Sequence, residues 1–186
     1  MHFYSELSHE CMEEHLVKLL KKQHNRTQKQ VYEMYAERMY INCLRYINNE
    51  QDAESIVNHA FYKVFANIDS FEYKGGVSFE AWIRRIVINE TLMFIRQNRR
   101  IQYIDDVTNI DSQINTNPSR KMEVEDYLIL IQSLPLGFRT VFNLYAIEGY
   151  SHQEIAEKLN ISESTSRSQL TRAREVLKEK VRRIEE

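Results

Sequence analysis

Residues 163–183 place seven Lys or Arg against three Glu, a local charge of +4 in a chain of 186 residues whose formal net charge is −2. Arg side chains can pair bidentately with guanine edges, and Ser and Thr hydroxyls reach phosphates or bases. Helical spacing turns Ser164, Arg167, Ser168, Thr171 and Arg172 away from the apolar positions Leu170, Ala173 and Leu177. The same pattern also fits a solvated amphipathic helix. What precedes it favours DNA. Ser151-His152-Gln153-Glu154 has the pattern of a capping box, and Ser151–Leu159 reads as a short helix ended by Asn160. Ser162 then caps the longer basic helix. Ser151–Leu177 is thus expected to be a helix-turn-helix, with Ala156 allowing close approach and Ile155, Leu159 and Ile161 filling its small core.

A second basic cluster lies at Arg84, Arg85, Arg96, Arg99 and Arg100, with one Glu between residues 84 and 100. Phe71, Tyr73, Phe79 and Trp82 precede or open it. Aromatics beside a basic helix suit single-stranded nucleic acid, where bases stack and cations follow the backbone. Trp82 fits a core position as well as a stacking platform. No catalytic set is evident. The six His are scattered, and Cys11 and Cys43 have neither a metal-ligand nor a disulfide spacing. Both cysteines are expected to be small apolar residues in a reducing cytosol. Neither enzymatic activity nor a cofactor is expected.

The elements that carry these residues are helical. Only 4 Gly and 2 Pro interrupt a chain that is 42% hydrophobic and 28% charged, which argues for an all-α fold. Helices are expected over Glu13–Gln23, Thr27–Ile47, Asp52–Ile68 and, after a Ser78 cap, Phe79–Arg99. Asn, Asp, Thr, Ser and Pro then cluster over residues 101–122, a linker signature. Helices resume at Glu123–Gln132, from Pro135 to Ile147, and in the helix-turn-helix, whose last helix is expected to end near Arg183. The expected architecture is two small helical domains joined by a flexible linker: an extension over 1–12, a domain over 13–100, the linker over 101–122 and a domain over 123–186. No apolar run reaches the ~18 residues of a membrane span, and Met1–Ser5 lacks a basic start with an apolar stretch. Neither export nor membrane insertion is expected. The near-neutral balance excludes a uniformly basic DNA coat protein.

Three ordered stretches resemble bacterial RNA polymerase sigma factors of the extracytoplasmic-function (ECF) type. They are Asp52–Phe65, Ser78–Asn89, and a set running from Leu134-Pro135 through Gly149-Tyr150-Ser151 and Glu154-Ile155-Ala156 to Arg172-Ala173-Arg174. The resemblance covers roughly residues 13–183. It implies a cytoplasmic transcription initiation factor with core RNA polymerase and promoter DNA as partners, and an anti-sigma factor as a further one. Asp52, Glu54, Asn58 and His59 match the polymerase-docking stretch. The loop Glu72–Ser78, with Tyr73, Lys74, Gly75, Gly76 and Ser78, matches the pocket for a flipped minus-ten base, and it is about two residues longer than usual. Asn89 and Met93 match positions lining the non-template strand, and Arg96, Arg99 and Arg100 would hold its backbone. Ser164, Arg167, Ser168, Thr171 and Arg172 fall on the minus-thirty-five reading helix. The linker's Asp105, Asp106 and Asp111 could mimic nucleic-acid charge. Ser55 replaces a common Asp, and Asn58-His59 a common Gln-Glu, which makes the docking stretch less acidic. Ser166 replaces a common inner Val and is expected to loosen the core there. Gln169 replaces a common Arg and removes a phosphate contact. The alternative is a stand-alone helix-turn-helix regulator that needs no polymerase docking.

Overall fold

The structure, a computed structural model, describes the backbone of residues 2–22, 24–72, 78–105 and 124–185, and side chains over 12–22, 24–72, 78–98 and 126–183. The described residues contain helices and no strand: α1 His2–Lys21, α2 Asn25–Leu44, α3 Glu50–Ala66, α4 Phe79–Asp105, α5 Val124–Gln132, α6 Leu136–Phe142, α7 His152–Leu159 and α8 Glu163–Glu185. A 3-10 turn covers Ile68–Ser70, and a π-helical turn covers Asn143–Ile147. The chain forms two compact units. One comprises Met1–Cys43 and Glu50–Thr91, the other Leu44–Asn49 and Leu92–Glu186.

Several boundaries differ from expectation: α2 and α3 are shifted by two or three residues from Thr27–Ile47 and Asp52–Ile68, and three further differences have a local cause. Helix α1 starts at His2, inside the expected extension, because no Gly or Pro precedes Glu13 to stop it. Helix α4 runs on through Asp105, five residues into the expected linker, since Ile101-Gln102-Tyr103-Ile104 contains no breaker. Pro135 occupies the N-cap of α6 with extended backbone (ψ 142°), one residue before the first helical position it was assigned. The remaining linker, with Asp106 and Asp111, lies outside the described residues.

In the first unit the apolar faces of α1–α4 share one core. Leu16, Leu20, Val31, Tyr35, Met39, Ala53, Phe61, Val64, Phe79, Ile83 and Val87 are all buried. A charged group, Glu13, sits among them. Glu13 is 2% exposed. Its Oε1 accepts from the Tyr35 hydroxyl at 2.9 Å, and its Oε2 from the Phe79 amide at 3.0 Å. That amide opens α4 and has no partner within the helix, and the carboxylate also complements the positive helix end. Eight residues on in α1, Lys21 Nζ donates to the Phe71 carbonyl at 2.8 Å. One helix therefore holds both ends of the segment 72–78. Ser78 caps α4 as expected, accepting from the Ala81 amide at 3.1 Å.

In the second unit α6 and α7 pack on α8. Leu136, Val141, Leu144, Ile155, Leu159, Leu170 and Ala173 are buried. Gly137 permits the close approach of α6: a Cβ there would lie 3.2 Å from the Gln169 side chain. Leu44–Asn49 is tied in by hydrogen bonds. Gln132 Nε2 donates to the Leu44 carbonyl at 2.9 Å and Asn143 Nδ2 to the Arg45 carbonyl at 2.8 Å. Arg45 pairs with Glu148 at 2.9 Å, both partners largely shielded from solvent.

Candidate nucleic-acid interface

The helix-turn-helix forms as its residues dictate. Ser151 Oγ accepts from the Glu154 amide and Glu154 Oε2 accepts from the Ser151 amide, completing the capping box. Asn160 ends α7 in the left-handed region (φ 54°), where Asn is among the few tolerated side chains. Ser162 caps α8 by accepting from the Thr165 amide at 3.0 Å. Ser164, Arg167, Ser168, Thr171 and Arg172 are all exposed, so the structure brings the five onto one accessible face. Arg167 pairs with Glu163 at 3.0 Å. Both partners are largely exposed, so the pair is weak and easily exchanged for another acceptor. Ser168 and Thr171 hydroxyls donate to the carbonyls of Thr165 and Arg167, and each oxygen can still accept.

Behind this face the expectation for Ser166 is corrected. Ser166 is fully buried, yet its Oγ lies 2.9 Å from His152 Nδ1, so the hydroxyl is satisfied rather than a core defect. The His152 ring stacks on Tyr145 at 4.5 Å. Desolvation, then Arg167 and Arg174, lower the His152 pKa against a smaller opposing effect of Glu163. His152 is therefore half-buried packing rather than the helix-surface residue its sequence position suggested.

The first unit carries two further surfaces. Along α3, Glu54, Asn58 and Tyr62 are exposed at four-residue spacing, with His59 beside them; Asp52 is partly buried. Tyr62 is 70% exposed and belongs to this face, although sequence reasoning passed over it. Its four-residue offset from Asn58 was the available signal. Asn58 Oδ1 accepts from Tyr32 at 2.7 Å. An adjoining cavity of about 360 Å³ is lined by Tyr32, Ala36, Glu37, Tyr40, Glu50, Gln51, Glu54 and Val57. Glu37 on α2 thus adds a carboxylate that reading α3 as a linear stretch does not collect, and Glu50 at the start of α3 adds another. Desolvation and then Glu50 and Glu54 raise the Tyr40 pKa, keeping its phenol protonated.

The other surface lies at α4. Lys63, Asn67, Ser70, Trp82, Ile86, Asn89 and Glu90 line a cavity of about 280 Å³. Trp82 is half-buried against Phe71 and Phe79, with ring centroids 5.1 and 5.9 Å away, and also borders the cavity. Trp82 thus packs on the core with one part and borders the cavity with another. Asn89 and Arg96 are exposed and Met93 half-buried. Tyr73, Lys74, Gly75 and Gly76, and the side chains of Arg99 and Arg100, lie outside the described residues. Among the described residues no cluster of three His, Cys, Asp or Glu could hold a metal ion. Cys43 is buried, and desolvation pushes its thiol up to about 11. Cys11 lies outside the described side chains. No helix among the described residues is long and apolar enough to cross a membrane.

Sequence comparison matches Sigma-70 region 2 over residues 31–101 and Sigma-70, region 4 over residues 126–177. A helix-turn-helix behind a helical unit bearing an aromatic-edged basic helix is the arrangement of a sigma-type initiation factor. The ECF RNA polymerase sigma factor SigW of Bacillus subtilis is 32% identical over 165 residues, spanning 82% of this chain and 87% of the relative. The ECF RNA polymerase sigma-E factor of Escherichia coli is 29% identical over 143 residues, spanning 70% and 74%. The fold is shared with the sigma factor RpoE of Bartonella quintana, solved with the anti-sigma factor NepR (TM-score 0.51, 24% identity, 83% of this chain and 96% of that one). The chain belongs to the ECF RNA polymerase sigma factors. It is a transcription initiation factor, and such factors are not enzymes.

Proposed function

We propose that this chain docks on core RNA polymerase through the α3 face and directs it to promoters carrying two spaced elements. The docking residues are Asp52, Glu54, Asn58 and His59. The observation that supports docking is the exposed run Glu54, Asn58 and Tyr62 beside the carboxylate-rich cavity of Glu37, Glu50 and Glu54. A carboxylate-edged, aromatic surface suits a partner with basic and apolar side chains. Helix α4 and the segment before it capture the melted minus-ten strand with Ser78, Asn89, Met93 and Arg96, together with Tyr73, Lys74, Gly75, Gly76, Arg99 and Arg100. Helix α8 reads the minus-thirty-five duplex with Ser164, Arg167, Ser168, Thr171 and Arg172. Its exposed Arg and hydroxyls on one face of a capped helix support that role. The factor works in the cytoplasm, where its polymerase is, and an anti-sigma factor holds it inactive. The complex that gives the Bartonella quintana relative its description supports the last point.

Reconstitution tests the proposal. The purified chain is mixed with core RNA polymerase of its host, and transcripts from fragmented genomic DNA are sequenced. Co-elution and start sites preceded by two shared elements are expected. Absence of a complex, with specific DNA binding by the free chain, would overturn polymerase docking.

A further inference from the structure

Helices α7 and α8 meet through an apolar core and a directional bond. Ile155, Leu159, Leu170 and Ala173 are buried where α7 packs on α8. Apolar contact is non-directional, so it holds the helices together without fixing how far α8 is turned about its own axis. A hydrogen bond does fix it. Ser166, fully buried on α8, has its Oγ 2.9 Å from Nδ1 of His152, the first residue of α7. The imidazole is itself held. It stacks on Tyr145 with ring centroids 4.5 Å apart, and the Arg174 guanidinium lies 5.7 Å from the centre of the Tyr145 ring. Ser166 immediately precedes Arg167 on the exposed face of α8. A turn of about 10° at the ~6 Å radius of a helix surface moves a side chain by ~1 Å, enough to take a donor out of hydrogen-bond range of a base edge.

We propose that His152 is a positioning residue for minus-thirty-five recognition: through Ser166 it fixes the rotation of α8, and so the aim of Arg167, Ser168 and Thr171 at base edges. The inference rests on the duplex-reading role of α8 proposed above. The charge state of the ring gives this role a signature. Arg167, Glu163 and Arg174 act on it from α8, and Tyr145 faces it from the π-helical turn. Burial and the two arginines outweigh Glu163 and lower its pKa below the ordinary 6.5, so the ring is neutral near pH 7. A proton added at lower pH places a further cation beside Arg167 and Arg174 in a half-buried site. The ring then gains by leaving the Tyr145 stack for solvent, and Ser166 loses its partner. Discrimination between bases falls, while the attraction of the basic helix for phosphates does not.

The test uses holoenzyme reconstituted from full-length chain and host core polymerase. Its ligands are two promoter duplexes, one carrying the minus-thirty-five element found by transcript sequencing and one with a base pair of that element changed. The readout is the ratio of the two affinities. For wild-type protein at about pH 7.5 that ratio is expected to be about tenfold or more, and it should shrink as the pH is lowered to about 5.5. Ser166→Ala removes the hydroxyl and should lower the ratio by about threefold or more at the higher pH. His152→Asn places a non-titrating amide where Nδ1 stands. It should keep part of the ratio and make it independent of pH. A merely structural role would weaken both promoters alike and leave the ratio unmoved. Ala is a good helix former, so Ser166→Ala remains informative if His152→Asn folds poorly. Two results would overturn the proposal: a Ser166→Ala ratio equal to that of wild type, or a wild-type ratio that falls with pH no more than that of His152→Asn. Where Arg167→Ala lowers the ratio, either result removes this inference alone. Where Arg167→Ala leaves it unchanged at every base pair, the duplex-reading role of α8 falls too.

Discussion

Glu13 shows how much a single side chain decides. Its two hydrogen bonds join α1 to α2 and to the first amide of α4. Glu13→Ala would take an acceptor from a buried hydroxyl and from a buried amide. We expect the first unit to lose ~2–3 kcal/mol, read as a lower midpoint in urea unfolding, with Glu13→Gln losing less. His152 makes a different prediction. Its folded pKa lies below the ordinary 6.5 because of desolvation and the nearby arginines. The unfolded chain then binds the proton more readily. The stability that neutral His152 contributes is present in full above the unfolded value and is lost as pH falls below it toward the folded one. Thermal melts should therefore show the second unit weakening from pH 7 to pH 5, and His152→Gln should flatten that slope. Neither residue's role could be read from the sequence, because their partners stand 66 positions away at Phe79 and 14 away at Ser166.

At the scale of the element, local signals were legible and non-local ones were not. The capping box at Ser151, the caps at Ser78 and Ser162 and the left-handed Asn160 follow from chemistry within four residues, and the structure has each of them. The exposed face of α8 follows from periodicity alone. The ends of α1 and α4 were misjudged because polar composition was read as a break where no Gly or Pro enforces one. The π-helical turn at Asn143–Ile147 has no signature of its own in the residue types. Nor could the Lys63–Glu90 contact be read, since it links residues on different helices, 27 apart. For α8 the prediction is direct. Arg167→Ala exchanges one weak surface pair with Glu163 for nothing, so folding should barely change. If Arg167 pairs with a guanine, holoenzyme affinity for a promoter should fall by ~1–3 kcal/mol. Competition binding with a base-substituted minus-thirty-five element checks it, since the penalty should vanish where that guanine is already absent.

For the whole molecule, charge sets the terms. A chain of net −2 with a local +4 on one helix has little long-range pull on DNA. Two small reading units gain affinity only when something fixes their spacing and raises the effective concentration of the second once the first is bound. Fluorescence anisotropy on labelled promoter duplex should show the free chain binding at least tenfold more weakly than holoenzyme at the same salt, with a shallow salt dependence.

The two α1 contacts that bracket residues 72–78 have a consequence for divergence. Lys21 holds the Phe71 carbonyl, and Glu13 holds the Phe79 amide. Neither contact uses a side chain of the segment between them. Lengthening a loop whose ends are fixed costs little: two residues added to seven amount to about 0.2 kcal/mol. The segment can therefore gain, lose or exchange residues while the scaffold that carries it stays folded. If residues 72–78 read promoter DNA as proposed, new regulatory circuits can arise by editing them without renegotiating the stability of the protein.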